Sequence, residues 1–150
     1  GLKQELIDKV RDTIVNSNAF PPVVKVYVKG KTGLGAVSYA PNKQLLAVTA
    51  GAEILFFINP DGLFNGSGEK EIDADYAVGG SNTGLEQIGG VAIDDRIENG
   101  KFFYASDSKN GKVVRFKLTD QGDATPDLTK NYGTLLPNYI FLDAREKPDF

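Results

Sequence analysis

The 150-residue sequence contains no cysteine, histidine, methionine or tryptophan. Without histidine and cysteine there can be no Ser-His-Asp triad, no thiol nucleophile, no disulfide, and no zinc or haem site with His or Cys ligands. Any catalysis would have to use carboxylates, amides, lysine, tyrosine or a hard metal ion bound through oxygen. These absences narrow the chemistry but do not identify a function.

Charge and hydropathy argue against two further classes. Lysine and arginine total 17 against 20 aspartates and glutamates, which gives a net charge of −3. This charge provides no basic field for a phosphate backbone, so we expect no nucleic-acid partner. The longest apolar run, Ile54 to Ile58, has only strand length. A membrane-spanning helix needs about 20 apolar residues, so we expect no membrane span.

The sequence begins at Gly1 rather than at a methionine. We therefore expect either that a tag or signal peptide has been removed or that the chain is a piece of a longer protein. Removal of a signal peptide would make the protein extracellular or periplasmic. The absence of cysteine does not decide this, because it suits oxidising and reducing compartments equally.

Residues 1–22 predict an amphipathic helix followed by a proline linker. The apolar residues recur at spacings of three and four, as a helix with one buried face requires. They are Leu2, Leu6, Ile7, Val10, Ile14 and Val15. Pro21 and Pro22 cannot continue a helix. We expect the apolar stripe to pack on the rest of the protein or on another subunit.

From residue 23 onward, short β-rich runs alternate with clusters of Gly, Asn, Asp and Pro, which predicts an all-β meander. The stretches 62–70 and 119–129 are predicted to be polar loops. The predicted strands are Val23–Val28, Ala36–Tyr39, Leu45–Thr49, Ile54–Ile58, Asp75–Val78, Val91–Asp94, Phe102–Ser106, Lys112–Leu118, Asn131–Thr134 and Asn138–Asp143.

An internal repeat is the strongest signal in the sequence. The aligned segments are Val37–Tyr39 with Val91–Ile93, Leu45–Val48 with Phe102–Ala105, and Ile54–Phe57 with Val113–Phe116. A third copy begins near residue 130 and places Ile140 and Leu142 where Val91 and Ile93 stand in the second. A period of about 40–50 residues with four strands per unit is typical of β-propeller blades. A β-sandwich with coincidental similarity is the alternative.

We place the repeats at 23–62 and 73–122, with a partial copy at 130–150. Propeller rings have about four to eight blades, so two copies and a fragment cannot close one. We therefore expect either a fragment of a longer propeller or a chain completed by its own subunits or by a second chain.

Residues 88–118 resemble an NHL-type blade, and are also similar to blades of the SMP-30/gluconolactonase and strictosidine-synthase-like propellers. The matching pieces are Gly90–Asp94, Tyr104–Ser108 and Lys112–Phe116, with one residue inserted between Ala105 and Asp107. The motif residues of these families occur only in the second copy, whereas the first copy keeps only the apolar positions of the repeat. It implies a propeller fold more than an activity.

Resemblance to the SMP-30-like enzymes also implies a divalent metal on the propeller axis, Ca²⁺ or another cation. Asn138 matches their Asn at the head of the first strand, and Asp107 lies near the Asp of their D-S motif. Further blades would have to supply the remaining ligands. The alternatives are that Asn138 is a turn amide and that Asp107 caps the turn after its strand.

Four acidic residues, Glu69, Glu71, Asp73 and Asp75, alternate with a period of two, so on a strand they would all point the same way. They lack the glycine turn and bidentate glutamate of a calcium loop, so a solvated outer strand is the better interpretation. The sequence as a whole predicts a propeller-type binding or assembly module that contacts a partner or small ligand through its loops. A metal-dependent hydrolase of lactonase or esterase type is the alternative, as is a purely structural role.

Overall fold

The computed structural model describes residues 2–16 and 24–133. The predicted N-terminal helix is confirmed as α1, Leu2–Asn16. Its apolar stripe is exposed at Leu2, Leu6 and Ile7. No helix within the described ranges has the length and hydrophobicity needed to cross a membrane.

The rest of the described chain consists of strands joined by turns and short 3-10 helices. The strands are β1 (Val24–Val28), β2 (Leu34–Ala40), β3 (Leu45–Ala50), β4 (Glu53–Ile58), β5 (Gly68–Ile72), β6 (Tyr76–Val78), β7 (Ile88–Ile93), β8 (Phe102–Asp107), β9 (Lys112–Lys117) and β10 (Leu128–Asn131). The expected fold class, all-β with one preceding helix, is confirmed.

Two four-stranded antiparallel sheets form the centre of the fold. The first sheet has the order β2-β3-β4-β6, and the second has the order β7-β8-β9-β10. Each is a meander, because hydrogen-bonded neighbours follow one another along the chain apart from the excursion through β5. These sheets have the strand number and order of propeller blades, although within residues 24–133 they form two packed sheets and not a closed ring.

The repeat seen in the sequence is reproduced rung by rung in the two sheets. Val37 pairs with Val48 in the first sheet, and the aligned residues Val91 and Ala105 pair in the second. The outer strands agree as well. Leu55 lies opposite Ala77, and its counterpart Val114 lies opposite Thr129. Positions in one sheet can therefore be compared directly with their equivalents in the other.

The main core lies between the two sheets. Phe103 of the second sheet packs edge-on against Phe56 of the first at 5.0 Å between ring centroids, and stacks on Phe116 at 5.1 Å. All three rings have no exposed surface. The Ser38 Oγ also accepts a hydrogen bond of 3.0 Å from the Ile93 backbone N–H. This hydrogen bond joins β7, the first strand of the second sheet, to β2 of the first sheet.

A second, smaller core covers the opposite face of the first sheet. β1 and β5 form a parallel pair, and Val28 of that pair joins a cluster with four residues of β3 and β4. The four are Leu46, Val48, Leu55 and Phe57. The centre of the first sheet is consequently buried on both faces, by the second sheet on one side and by the β1–β5 pair on the other.

Two predicted segments differ from the structure. The loop expected over 62–70 contains the start of β5, whose charged sequence carries no hydrophobic alternation and whose partner β1 is distant in sequence. The strand expected over Asn131–Thr134 is instead Leu128–Asn131, since this exposed strand is positioned by its pairing with β9 and not by burial. The predicted strand Asn138–Asp143 lies outside the described residues.

Candidate functional site

Asp107, one of the two candidate metal ligands, lies at the end of β8 and is completely buried. Its Oδ1 accepts hydrogen bonds from the backbone N–H groups of Lys109 (2.9 Å) and Asn110 (3.0 Å). Its Oδ2 accepts from the Glu86 N–H (2.9 Å) and the Asn110 side-chain amide (3.0 Å). The carboxylate therefore caps the β8–β9 turn and ties it to the loop before β7.

These four hydrogen bonds also set the ionisation of Asp107. Burial opposes the charged form, but the donated hydrogen bonds outweigh that effect and lower the pKa of the carboxyl group. A carboxylate offers about four lone-pair sites, and all of them are used here. These contacts are those of the alternative interpretation, in which Asp107 caps the turn after its strand.

The second candidate ligand, Asn138, lies outside the described residues. Among residues 2–16 and 24–133, no group of three or more Asp and Glu side chains is placed to hold a metal ion. Of the acidic series, Glu69 and Glu71 lie on β5, and Asp73 and Asp75 follow the end of that strand. Glu69, Glu71, Asp73 and Asp75 are exposed, while the intervening Lys70, Ile72 and Ala74 are partly buried.

Comparison of the two sheets identifies an exposed apolar row on the first. Leu34, Val37 and Tyr39 of β2 are 42%, 60% and 48% exposed, and we call these three residues the open row. Their equivalents on β7 are buried against the first sheet. These are Ile88, Val91 and Ile93, at 9%, 4% and 5% exposure. The same positions in the same strand are thus covered in one copy and uncovered in the other.

The second sheet has a matching uncovered surface on its far side. In the first sheet, the face toward the second sheet contains Leu45, Ala47, Ile54 and Phe56, all buried. Their equivalents on the second sheet, which we call the outer face, are only partly buried. These are Phe102, Tyr104, Val113 and Arg115. Both surfaces therefore consist of positions that are buried in one copy of the repeat and less buried in the other.

Arg115 lies among the outer-face residues, and the exposed Lys117 and Lys130, which pair with Phe102 and Val113, lie on the same side of the sheet. The Arg115 guanidinium lies 4.1 Å from the centre of the Phe102 ring and binds both carboxylate oxygens of Asp127, at 2.9 and 3.0 Å. This pairing lowers the pKa of Asp127. Since Asp127 already neutralises the charge of Arg115, covering this residue would not bury an unpaired guanidinium.

A pocket of about 450 Å³ lies at one end of the open row. It is lined by Tyr39, Leu46, Pro60, Asp61 and Phe64. The Tyr39 hydroxyl donates a 2.7 Å hydrogen bond to Asp61 Oδ1, and this bond raises the pKa of Tyr39 because ionisation would remove the donor. The pocket combines an apolar floor with a carboxylate at its rim, which suits an apolar side chain that ends in a cation.

Sequence reasoning identified the aligned positions but did not identify the uncovered surfaces. The hydrophobic pattern of β2 is the same whether its outward row is buried or exposed. The sequence did contain one signal. It has two complete repeats, and no further complete repeat to cover the outward side of each. A comparison with protein-family models found no match to this sequence, and none of the curated proteins matched it.

Proposed function

We propose that this chain is a propeller-type binding and assembly module whose open row packs against β-strands supplied by another subunit or a second chain. The observation that supports this is the contrast between the exposed open row and its buried equivalents on β7. β2 and β7 are equivalent strands with equivalent pairing registers in their sheets. They differ in whether another part of the chain covers their apolar row.

The existing contact between the two sheets shows that this row is buried where another strand layer covers it. There, the buried row on β7 lies across β2 and β3 of the first sheet. Burial of apolar surface contributes about 25 cal/mol per Å², so covering an equivalent row on β2 favours association. Contiguous exposed apolar surface of this kind is a common mark of a protein interface.

The experiment is to measure the mass of the chain in solution by light scattering over a range of concentrations. We expect species heavier than the 16.2 kDa monomer. Val37→Lys should shift the population to monomer, because it places a charge in the centre of the open row. Ile97→Lys is the matched control, since Ile97 is 68% exposed and lies in the β7–β8 connection, outside the open row.

A wild-type chain that remains at 16.2 kDa at every concentration, with Val37→Lys indistinguishable from it, would contradict assembly through copies of this chain. Equal loss of association in Val37→Lys and Ile97→Lys would contradict the assignment to the open row. Adding Ca²⁺ or chelator should leave the melting temperature unchanged. A Ca²⁺-dependent rise would instead favour the metal-dependent hydrolase.

A further inference from the structure

The pocket at the end of the open row combines an apolar lining with an acidic rim. We infer that it binds a primary alkylammonium group, with the aliphatic chain on the apolar floor and the ammonium beside the Asp61 carboxylate. A free aliphatic amine and a lysine side chain share this chemistry. The inference goes beyond the proposed function, because the pocket can bind an amine whether or not another chain covers the open row.

The pocket is built by two strands and by the 3-10 helix that follows β4. Tyr39 on β2 lies directly opposite Leu46 on β3, so the two side chains project from the same side of the first sheet. The 3-10 helix Pro60–Phe64 begins with a buried proline, whose fixed φ suits a first helical turn. Leu63 of this helix packs against the smaller core. The helix is thereby anchored at the sheet, and its Asp61 lines the pocket.

The size and lining of the pocket suit a small aliphatic group. Its volume of about 450 Å³ falls within the range of about 300–1,000 Å³ that is usual for small-molecule sites. Leu46 and Pro60 are buried, and Tyr39 and Phe64 add two aromatic rings to the lining. Aromatic rings bury methylene groups and also attract an ammonium group to their faces. The lining therefore favours an aliphatic chain that carries a positive charge.

Asp61 has the free acceptor that an ammonium group needs. Its Oδ1 accepts the 2.7 Å hydrogen bond from the Tyr39 hydroxyl. Among the described residues, its Oδ2 accepts no hydrogen bond, and no lysine or arginine forms an ion pair with this carboxylate. An ammonium group can thus donate to Oδ2 in a charge-assisted hydrogen bond without breaking the contact with Tyr39.

A second carboxylate adds to the negative field at this rim. The pKa of Tyr39 is raised first by its hydrogen bond to Asp61, then by burial, and then by the negative charges of Asp61 and Asp95. Asp95 accepts hydrogen bonds of 2.9 and 3.2 Å from the backbone N–H and side-chain amide of Asn42, which leave its charge in place. A cation at the rim is attracted by both carboxylates, whereas an anion would be repelled.

A nuclear magnetic resonance titration with butylammonium tests the site. The comparison probes are 1-butanol, which has the same chain without the charge, and the ammonium ion, which has the charge without the chain. We expect butylammonium to shift the side-chain signals of Tyr39, Leu46 and Phe64 along one saturable curve. The two comparison probes should bind more weakly by about five-fold or more, because each lacks either the apolar contact or the ion pair.

Asp61→Asn separates charge from shape, because an amide oxygen can still accept the Tyr39 hydroxyl hydrogen. It should weaken butylammonium binding about five-fold and leave 1-butanol binding unchanged. Asp73→Asn is the matched control, since it makes the same change of net charge at an exposed residue outside the pocket. The inference is overturned by equal affinities for butylammonium and 1-butanol, by undiminished butylammonium binding in Asp61→Asn, or by the absence of shifts at the lining residues.

Light scattering with and without butylammonium distinguishes the two sources of the ammonium group. If butylammonium lowers the mass of the assembled chain, and Asp61→Asn does so without it, the group is a lysine side chain of the partner on the open row. If butylammonium binds and the mass does not change, the ligand is a free amine. A permanently monomeric chain that binds butylammonium contradicts only the proposed assembly, and an assembling chain that does not bind it contradicts only this inference.

Discussion

Phe103 is the residue through which the packing of the two sheets is best tested. It is fully buried and contacts Phe56 across the interface and Phe116 within its own sheet. Replacing a buried phenylalanine by alanine costs about 3–5 kcal/mol, through lost apolar burial and the cavity that remains. For a chain of this length each kcal/mol lowers the melting temperature by about 2–4 °C, so we expect Phe103→Ala to lower it by about 6–20 °C.

The matched control is Phe64→Ala, which makes the same chemical change at a side chain that is 57% exposed. Its effect should stay within about 0.5 kcal/mol. Urea unfolding followed by far-ultraviolet circular dichroism gives both free energies of unfolding. Equal costs for the two variants would refute the assignment of Phe103 to the core.

A double-mutant cycle tests whether the two sheets pack through the rings of Phe56 and Phe103. We choose Phe56→Leu and Phe103→Leu, since leucine keeps most of the apolar volume and removes the edge-to-face ring contact. Aromatic pairs of this geometry contribute about 0.5–1.5 kcal/mol beyond their burial, and the cycle should return a coupling of that size. A coupling of zero would mean that the two sheets do not pack through these rings.

Three further predictions concern the polar groups and turns that hold the second sheet. Asp107→Ala should cost at least about 3 kcal/mol in urea unfolding, because three backbone N–H groups lose their acceptor at about 1–3 kcal/mol each. Asp73→Ala, at an exposed position, should be near neutral. The Arg96 ion pair lowers the pKa of Asp94, and four hydrogen bonds outweigh burial and lower the pKa of Asp107. The ionised carboxylates therefore add to the free energy of unfolding. This contribution is complete above the unfolded carboxyl pKa of about 3.9 and is lost as the pH falls through the lower pKa values of the folded state. The urea midpoint should therefore fall from pH 5 to pH 3, and a flat profile would contradict this linkage. Gly100→Ala should cost about 1–3 kcal/mol in the same assay, since a Cβ there would overlap the backbone carbonyls of Asp94 and Arg96, while Gly62→Ala meets no atom within 4 Å and should be tolerated.

Much of the fold followed from local pattern in the sequence. The strands that build the core alternate or run apolar over five to seven residues and are bounded by turn residues, so β2 to β4 and β7 to β9 were predicted nearly in place. β5 and β10 were missed or displaced, because their side chains are largely polar and exposed. Their existence depends on hydrogen bonding to β1 and β9, which no local pattern records.

The candidate site was less accessible to sequence reasoning for a related reason. Burial of Val37 or Val91 depends on what packs against the strand, and both positions carry the same residue. Asp107 shows the same limit. Its position near a family motif suggested a metal ligand, whereas the hydrogen bonds that occupy its oxygens come from Glu86, Lys109 and Asn110, and only the fold shows how the loop containing Glu86 reaches it.

The placement of the β1–β5 pair limits what can bind to the open row. This pair covers Leu46, Val48 and their neighbours on β3 and β4, yet leaves Val37 and Tyr39 of β2 exposed. A full four-stranded sheet stacked as the second stacks on the first would collide with β1 and β5. In the proposed assembly, the partner would therefore have to present a narrow element along β2. At the Tyr39 end, the Asp61 carboxylate favours a partner whose apolar row ends in a lysine or arginine, and Asp61→Lys should weaken association in the same light-scattering assay in which Val37→Lys does.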